Sequence, residues 1–255
     1  MIIGNKIYYK KKVKSSLDWA KENITTASNG TIFLTDFIEN AKGRGNRKWK
    51  CYEGQLTITI LLKPNFLQNK NITLESQINY LTMLFSVAIT KSLANFNIQI
   101  KWPNDFILNN KKLGGILTEL IWENNKPIAT IIGISLNINN SIPQNDELFE
   151  IATSLKNEFN VNIDNKELLN KIIEESNHLY NEWNKQNYEL IFQQWKEKQF
   201  YLNKKIKIHK NDNTIIEGLV SNCQNNGDIE ITNQKKEIIS FYQVDNISIE
   251  PMEKK

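Results

Sequence analysis

Apolar and polar positions alternate most regularly over residues 55–62, Gln-Leu-Thr-Ile-Thr-Ile-Leu-Leu, with Leu56, Ile58, Ile60 and Leu62 on one face and Thr57 and Thr59 on the other. A period of two over that length predicts a half-buried strand. From residue 74 to about residue 94 the period lengthens. Ile78, Leu81, Phe85, Ala88 and Ile89 recur at helical spacing, and Glu75 in the first turn complements the helix dipole. Strands are then predicted at 97–101, 104–109, 112–123 and 127–137, the last two joined by Asn124-Asn125-Lys126. Asp164-x-x-Glu167 has the form of a capping box and predicts a helix to about Lys185, followed by a shorter one over 188–199. Near the start, Ser15-Ser16-Leu17-Asp18-Trp19-Ala20 sits where a strand gives way to a helix that the serines can cap. Antiparallel hairpins after a helix predict an α+β architecture, a mixed and mainly antiparallel sheet packed with helices, rather than a doubly wound sheet.

Beyond Tyr201 the texture changes. Residues 205–209, 214–220, 228–232 and 237–241 are short alternating strands separated by turns such as Asn225-Asn226-Gly227. They predict a small all-β barrel, so the expected division is 1–201 and 202–255. Trp183, Tyr188, Phe192 and Trp195 recur at helical spacing just before that joint and are expected in the core or at the joint itself.

Composition narrows the function more than the fold. With 40% hydrophobic and 24% charged residues over 255 positions, the chain is long enough for a catalytic domain and a small appendage. No apolar run reaches membrane-spanning length and no apolar stretch precedes the N-terminal lysines, which predicts a cytoplasmic protein without membrane partners. Cys51 and Cys223 lie too far apart in the chain to suggest a disulfide framework or a metal site. Two histidines, His178 and His209, argue against a histidine-based zinc centre or a serine–histidine triad. A net charge of +4 is too small to argue for nucleic acid as a partner.

Candidate chemistry concentrates in three places. Lys101-Trp102-Pro103-Asn104-Asp105 leads into a turn at Asn109-Asn110-Lys111 and returns through Lys112 to Gly114-Gly115. Two lysines, a carboxylate and backbone without side chains converge there, which suits a phosphate-bearing anion, although turn and packing chemistry use the same residues. Ala41-Lys42-Gly43-Arg44-Gly45-Asn46-Arg47-Lys48-Trp49-Lys50 interleaves cations with glycines, either to fold over an anion or as a solvated basic loop. Gly133-Ile134-Ser135-Leu136-Asn137-Ile138-Asn139 ends an apolar strand on a polar residue, placing Asn137 at a site edge or at a strand cap.

Taken in order, these segments resemble the biotin protein ligases, the biotin–acetyl-CoA-carboxylase ligases. That family carries a Ser-Thr-Asn segment, a Gly-Arg-Gly-Arg-x-Gly-Arg-x-Trp loop, a Lys-Trp-Pro-Asn-Asp strand with Lys-Leu-x-Gly-Ile-Leu, and a Gly-x-Gly-x-Asn segment. Here residues 101–117 match almost letter for letter, and Lys42-Gly43-Arg44 fall on the central Arg-Gly-Arg of the loop. Gly54-Gln55-Leu56 stands for the family's Gly-Asn-Leu. There are departures. Ser15-Ser16-Leu17 keeps the hydroxyls but loses the amide, Ala41 and Asn46 replace loop glycines, Ile38 stands about where a glutamine precedes the loop, and Ser135 replaces the second glycine of Gly-x-Gly.

The resemblance covers essentially the whole chain. It implies a class II synthetase-like catalytic domain followed by an SH3-like barrel, without the helix-turn-helix of repressor-type members. It also implies biotin and ATP as substrates, Mg2+, a biotinyl-adenylate intermediate, and the biotin carboxyl carrier protein of acetyl-CoA carboxylase as acceptor, with a homodimer as the candidate assembly. Lys112, Arg44 and Asp105 take the catalytic positions. Ser15, Ser16, Lys42, Gly43, Arg44, Trp49, Lys112 and Gly115 fall at biotin-contacting positions. Arg44, Lys101, Asn104, Asp105, Lys112 and Asn137 fall at ATP- or adenylate-contacting ones, and no metal ligands are assigned. A lipoate–protein ligase of the same architecture and a non-catalytic module holding biotin or a carrier domain are the alternatives.

Overall fold

The computed structural model describes every residue except 46, 67–71, 211, 243–246 and 253–255. Seven strands form the main sheet: β1 (Ile7–Val13), β2 (Thr31–Ile38), β3 (Leu56–Leu62), β4 (Gln99–Lys101), β5 (Asp105–Leu108), β6 (Lys111–Glu123) and β7 (Lys126–Leu136). Their order is β1-β2-β3-β7-β6-β5-β4. β1 and β2 run parallel, and the other neighbours are antiparallel. A parallel pair needs a crossover, and α1 (Ser16–Glu22) lies on it with Ser15 as its N-cap. The hairpins predicted from residue 97 onward are present to within a few residues.

Each face of the sheet has its own cover. Leu56, Ile58, Ile60, Ile100, Phe106, Ile132 and Ile134 share one core with α2 (Leu74–Ser92), α4 (Asn165–Asn184) and α5 (Tyr188–Glu197). The capping sequence works as read: Asp164 accepts hydrogen bonds from the backbone N–H groups of Lys166 and Glu167. On the other face Leu17, Trp19 and Ala20 of α1 pack with Phe33, Leu61, Ala129 and Ile131. This second layer corrects the reading of β3 as half-buried. The strand is buried along its whole length, because α1 covers the threonine face and Thr59 Oγ1 donates to Ser16 Oγ at 2.9 Å. A five-residue helix, α3 (Leu155–Phe159), was not predicted.

The chain leaving α5 pairs with the edge of the main sheet. Ile100 N donates to Lys198 O and Phe200 N to Ile100 O, both at 2.8 Å. A second, antiparallel sheet follows, built from β8 (Lys205–His209), β9 (Ile215–Cys223), β10 (Ile229–Asn233), β11 (Ile238–Phe241) and β12 (Ser248–Pro251) in the order β11-β10-β9-β8-β12. Its apolar side chains, among them Ile206, Val220, Ile229 and Phe241, are continuous with the core of the main sheet. The indole N–H of Trp102 donates to Gly227 O at 2.8 Å across that junction. The fold is therefore α+β, a mixed sheet with helices followed by a small C-terminal β unit.

Two features of register place the chemistry. Thr57, Ser135, Gly115, Asp105 and Lys101 lie opposite one another on five successive strands, β3, β7, β6, β5 and β4. Between β5 and β6 the register then shifts. Phe106 pairs with Gly114 but Ile107 with Lys112, leaving Leu113 as an extra residue.

Candidate active site

That extra residue decides where Lys112 points. Gly115 and Leu117 face the α1 side, so strict alternation would put Leu113 there and Lys112 in the helical core. A β-bulge reverses the parity. Leu113 is fully buried in the core and Lys112 enters the cleft. The bulged backbone is held by the segment after β7, with Lys112 N donating to Ile151 O at 2.8 Å and Thr153 N to Lys112 O at 2.9 Å. Lys112 Nζ then lies 2.8 Å from Asp105 Oδ2 and 5.2 Å from the centroid of the Trp49 ring.

The adjacent glycines have different tasks. A Cβ on Gly114 would meet Ser135 O at 2.6 Å, so this glycine permits close approach of β6 and β7. A Cβ on Gly115 would instead stand 3.0 Å from Asp105 Oδ1 and 3.8 Å from Lys112 Cε, in the cleft itself. Asn104 fixes the opposite lip. Its carbonyl accepts from Ile116 N at 2.9 Å and its amide donates to Ile116 O, continuing the ladder past the end of β5. The turn between β4 and β5 contains a cis Trp102–Pro103 peptide. Lys101 reaches the same cleft with its ammonium 5.8 Å from the Tyr201 ring centroid. Burial pushes its pKa down; Asp105 opposes the shift, while Lys112 and Arg47 add to it.

Residues 41–45 and 47–49 fold against each other as a small hairpin, with Gly43 N donating to Arg47 O at 2.8 Å and Trp49 N to Ala41 O at 2.9 Å. Asn46 lies outside the described residues. Lys42 is anchored on both carboxylate oxygens of Asp18 at 3.2 Å. The Trp49 indole nitrogen is buried without a hydrogen-bond partner among the described residues. Ser15 Oγ accepts from Asp18 N at 3.2 Å, and Ser16 accepts from Thr59.

Ser15, Ser16, Lys42, Gly43, Arg44, Trp49, Lys101, Asn104, Asp105, Lys112 and Gly115 thus line one cleft of about 250 Å³. Asn137 is not brought to it. That side chain is buried behind the wall, where its Oδ1 accepts from Gln55 at 2.7 Å and Asn140 at 3.3 Å. The lining also includes residues that sequence reasoning did not select. Ser135 faces in from β7, Arg47 and Lys48 add charge, and Ile247, Ser248 and Ile249 come from the C-terminal unit. Six cations (Lys42, Arg44, Arg47, Lys48, Lys101 and Lys112) face one carboxylate, Asp105, in a surface that favours anionic ligands. Among the described residues no three His, Cys, Asp or Glu side chains group together. Cys51 does not line this cleft, and burial pushes its thiol pKa up.

Residues 8–137 match the Biotin/lipoate A/B protein ligase family. Over 178 residues the chain is 32% identical to the bifunctional ligase/repressor BirA of Bacillus spizizenii, covering 68% of this chain and 53% of BirA. The counterpart from Bacillus subtilis matches at 32% over 180 residues with the same coverage. The chain spans about half the length of the curated relatives it matches. Its fold is similar to that of a biotin protein ligase from Aquifex aeolicus in complex with biotin and ATP, with a TM-score of 0.80 at 24% identity over 97% of this chain and 99% of that one.

Proposed function

The chain belongs to the Biotin/lipoate A/B protein ligase family, and from that premise we propose that it is an ATP-dependent biotin–protein ligase. The observation that carries this reading is the placement of Lys112, turned by the bulge into a cationic cleft beside Asp105, Trp49 and Gly115. In the first step a biotin carboxylate oxygen attacks the α-phosphorus of ATP. The bond from that phosphorus to the bridging oxygen breaks, and pyrophosphate leaves biotinyl-5′-AMP behind. The difficulty is the approach of two anions, which ammonium and guanidinium groups relieve when they are in place before the charge develops.

Lys112 would hold the carboxylate and an α-phosphate oxygen together. Its ion pair with Asp105 is roughly one-third exposed on each side. Such a pair contributes about 1 kcal/mol or less, so an incoming anion displaces it at little cost. Arg44 and Lys42, on the 41–49 hairpin, would bracket the adenylate and shield the activated acyl group from water. Lys101 and Asn104 serve the phosphate end. Asp105 is the carboxylate that would hold Mg2+, an ion commonly bound through one or two carboxylates and substrate phosphates, and supplying further neutralisation there. Ser15, Ser16, Gly43, Trp49 and Gly115 wall the acyl end. In the second step the ε-amine of an acceptor lysine attacks the acyl carbon and forms an amide. The acyl–phosphate bond breaks, AMP departs, and the amine proton passes to solvent. The acceptor in this reading is the carrier domain of acetyl-CoA carboxylase, in the cytoplasm.

ATP–pyrophosphate exchange with biotin or lipoate, followed by labelled transfer to a carrier domain, tests the assignment. Biotin-dependent exchange and transfer are expected, and Lys112→Ala should slow exchange by about 100-fold or more. Exchange with lipoate alone would make the protein a lipoate–protein ligase, and biotin binding without exchange would make it a binding module. Near-normal exchange by Lys112→Ala would remove that residue from its role.

A further inference from the structure

The acyl end of the cleft is backed by two hydroxyl pairs that are not equivalent, one between β3 and α1 and one between β3 and β7. Thr59 and Ser16 are both buried and bonded at 2.9 Å, so that pair is closed. Thr57 Oγ1 and Ser135 Oγ stand 3.5 Å apart, at the outer limit of a hydrogen bond. Thr57 is buried, whereas Ser135 is half-buried and lines the cleft. Its hydroxyl is therefore weakly held and faces open space. The space is there because Ser135 lies opposite Gly115 in the β6–β7 ladder, where no side chain intervenes. Two residues along the same face of β7, Gly133 leaves room for Leu17, whose Cδ2 would be 2.9 Å from a Cβ at that position. The helix α1 thus presents a hydrocarbon at this end, and β7 presents the hydroxyl.

We propose that Ser135 is a specificity-determining residue, its hydroxyl hydrogen-bonding a ring heteroatom of the acyl acid while the acid's carboxylate lies on Lys112. The inference rests on the biotin–protein ligase reading and adds to it a contact from a position where the resembled family carries glycine. A ureido ring offers a strong oxygen acceptor and N–H donors to such a hydroxyl. A dithiolane offers only sulfur, so the contact favours biotin over lipoate.

The experiment is steady-state ATP–pyrophosphate exchange by the unsubstituted protein, Ser135→Ala and Ser135→Gly, with biotin and with lipoate. Loss of one neutral hydrogen bond should raise KM for biotin about 3- to 10-fold. KM for ATP and kcat at saturating biotin should stay within about twofold, a split that a merely structural role would not produce. The preference for biotin over lipoate should narrow by a similar factor. Unchanged KM for biotin in both variants, or a parallel rise in KM for ATP, would overturn the inference and leave the ligase reading intact. No biotin-dependent exchange by the unsubstituted protein would overturn both.

Discussion

The ammonium of Lys101 sits in opposing fields: burial, Lys112 and Arg47 lower its pKa, and Asp105 raises it. In the ligand-free protein this lysine therefore loses its proton at a lower pH than an exposed lysine would. A phosphate placed beside it favours the charged form, so ATP binding at alkaline pH should take up protons and weaken as pH rises through the free-state value. Calorimetric titration of ATP in two buffers of different ionisation enthalpy measures the uptake; buffer-independent heats would place the phosphates away from Lys101. Most of the charged residues in the cleft were legible in the sequence, because Lys101, Asp105, Lys112 and the cations of the 41–49 hairpin occupy a dense, specific motif. Asn137 was not. A polar residue ending an apolar strand marks a site edge and a buried hydrogen-bond network equally well, and here Asn137 is buried with its Oδ1 accepting from Gln55 and Asn140. Ser135 has the opposite history. In the sequence it stands only as a serine in place of the second glycine of Gly-x-Gly, and its register opposite Gly115 gives that departure a meaning.

Elements contribute spacing that individual letters do not reveal. In the sequence Gly114 and Gly115 read alike, yet one faces the core and the other the cleft. Paired substitutions should separate them. Gly114→Ala forces a methyl against Ser135 O and should lower stability by about 1–3 kcal/mol, measured by urea unfolding. Gly115→Ala presses closely only on the Asp105 side chain, which can yield, with Asn104 O and Lys112 Cε at ordinary contact distance, so stability should stay nearly constant while kcat/KM for adenylate formation falls. Equal stability losses would mean that both glycines serve strand packing. Element prediction succeeded where periodicity was clean, as in α2 and the hairpins from β4 to β7. β2 (Thr31–Ile38) was missed because its burial spans both faces and erases the alternation that identifies a half-buried strand. The threonine face of β3 was misjudged for a related reason: no local signal says that α1 will return to cover it.

At the scale of the whole molecule, the two sheets behave as one body around the cleft. Their apolar cores are continuous, Trp102 is bonded to Gly227, and the Tyr201 hydroxyl donates to Ile249 O at 3.1 Å beside the lining residues of the C-terminal unit. Thermal unfolding should therefore show a single transition by calorimetry. Trp102→Phe removes the indole N–H that donates to Gly227 and part of the ring's packing volume, which should cost about 1–3 kcal/mol and shift the whole transition downward. A separate early transition for the C-terminal sheet would contradict this coupling. Ile247, Ser248 and Ile249 could not be found as cleft residues from sequence, since they are chemically plain and reach the site only through this packing. The bulge at Leu113 has a last consequence, for descent rather than for chemistry. Pairing Leu113 in regular register would leave every letter of the motif present and in order, yet turn Lys112 to the wrong side of the strand. Among relatives of this protein, a one-residue gap that takes out the extra residue itself should therefore be compatible with activity, because the lysine then stays on the cleft side of a regular strand.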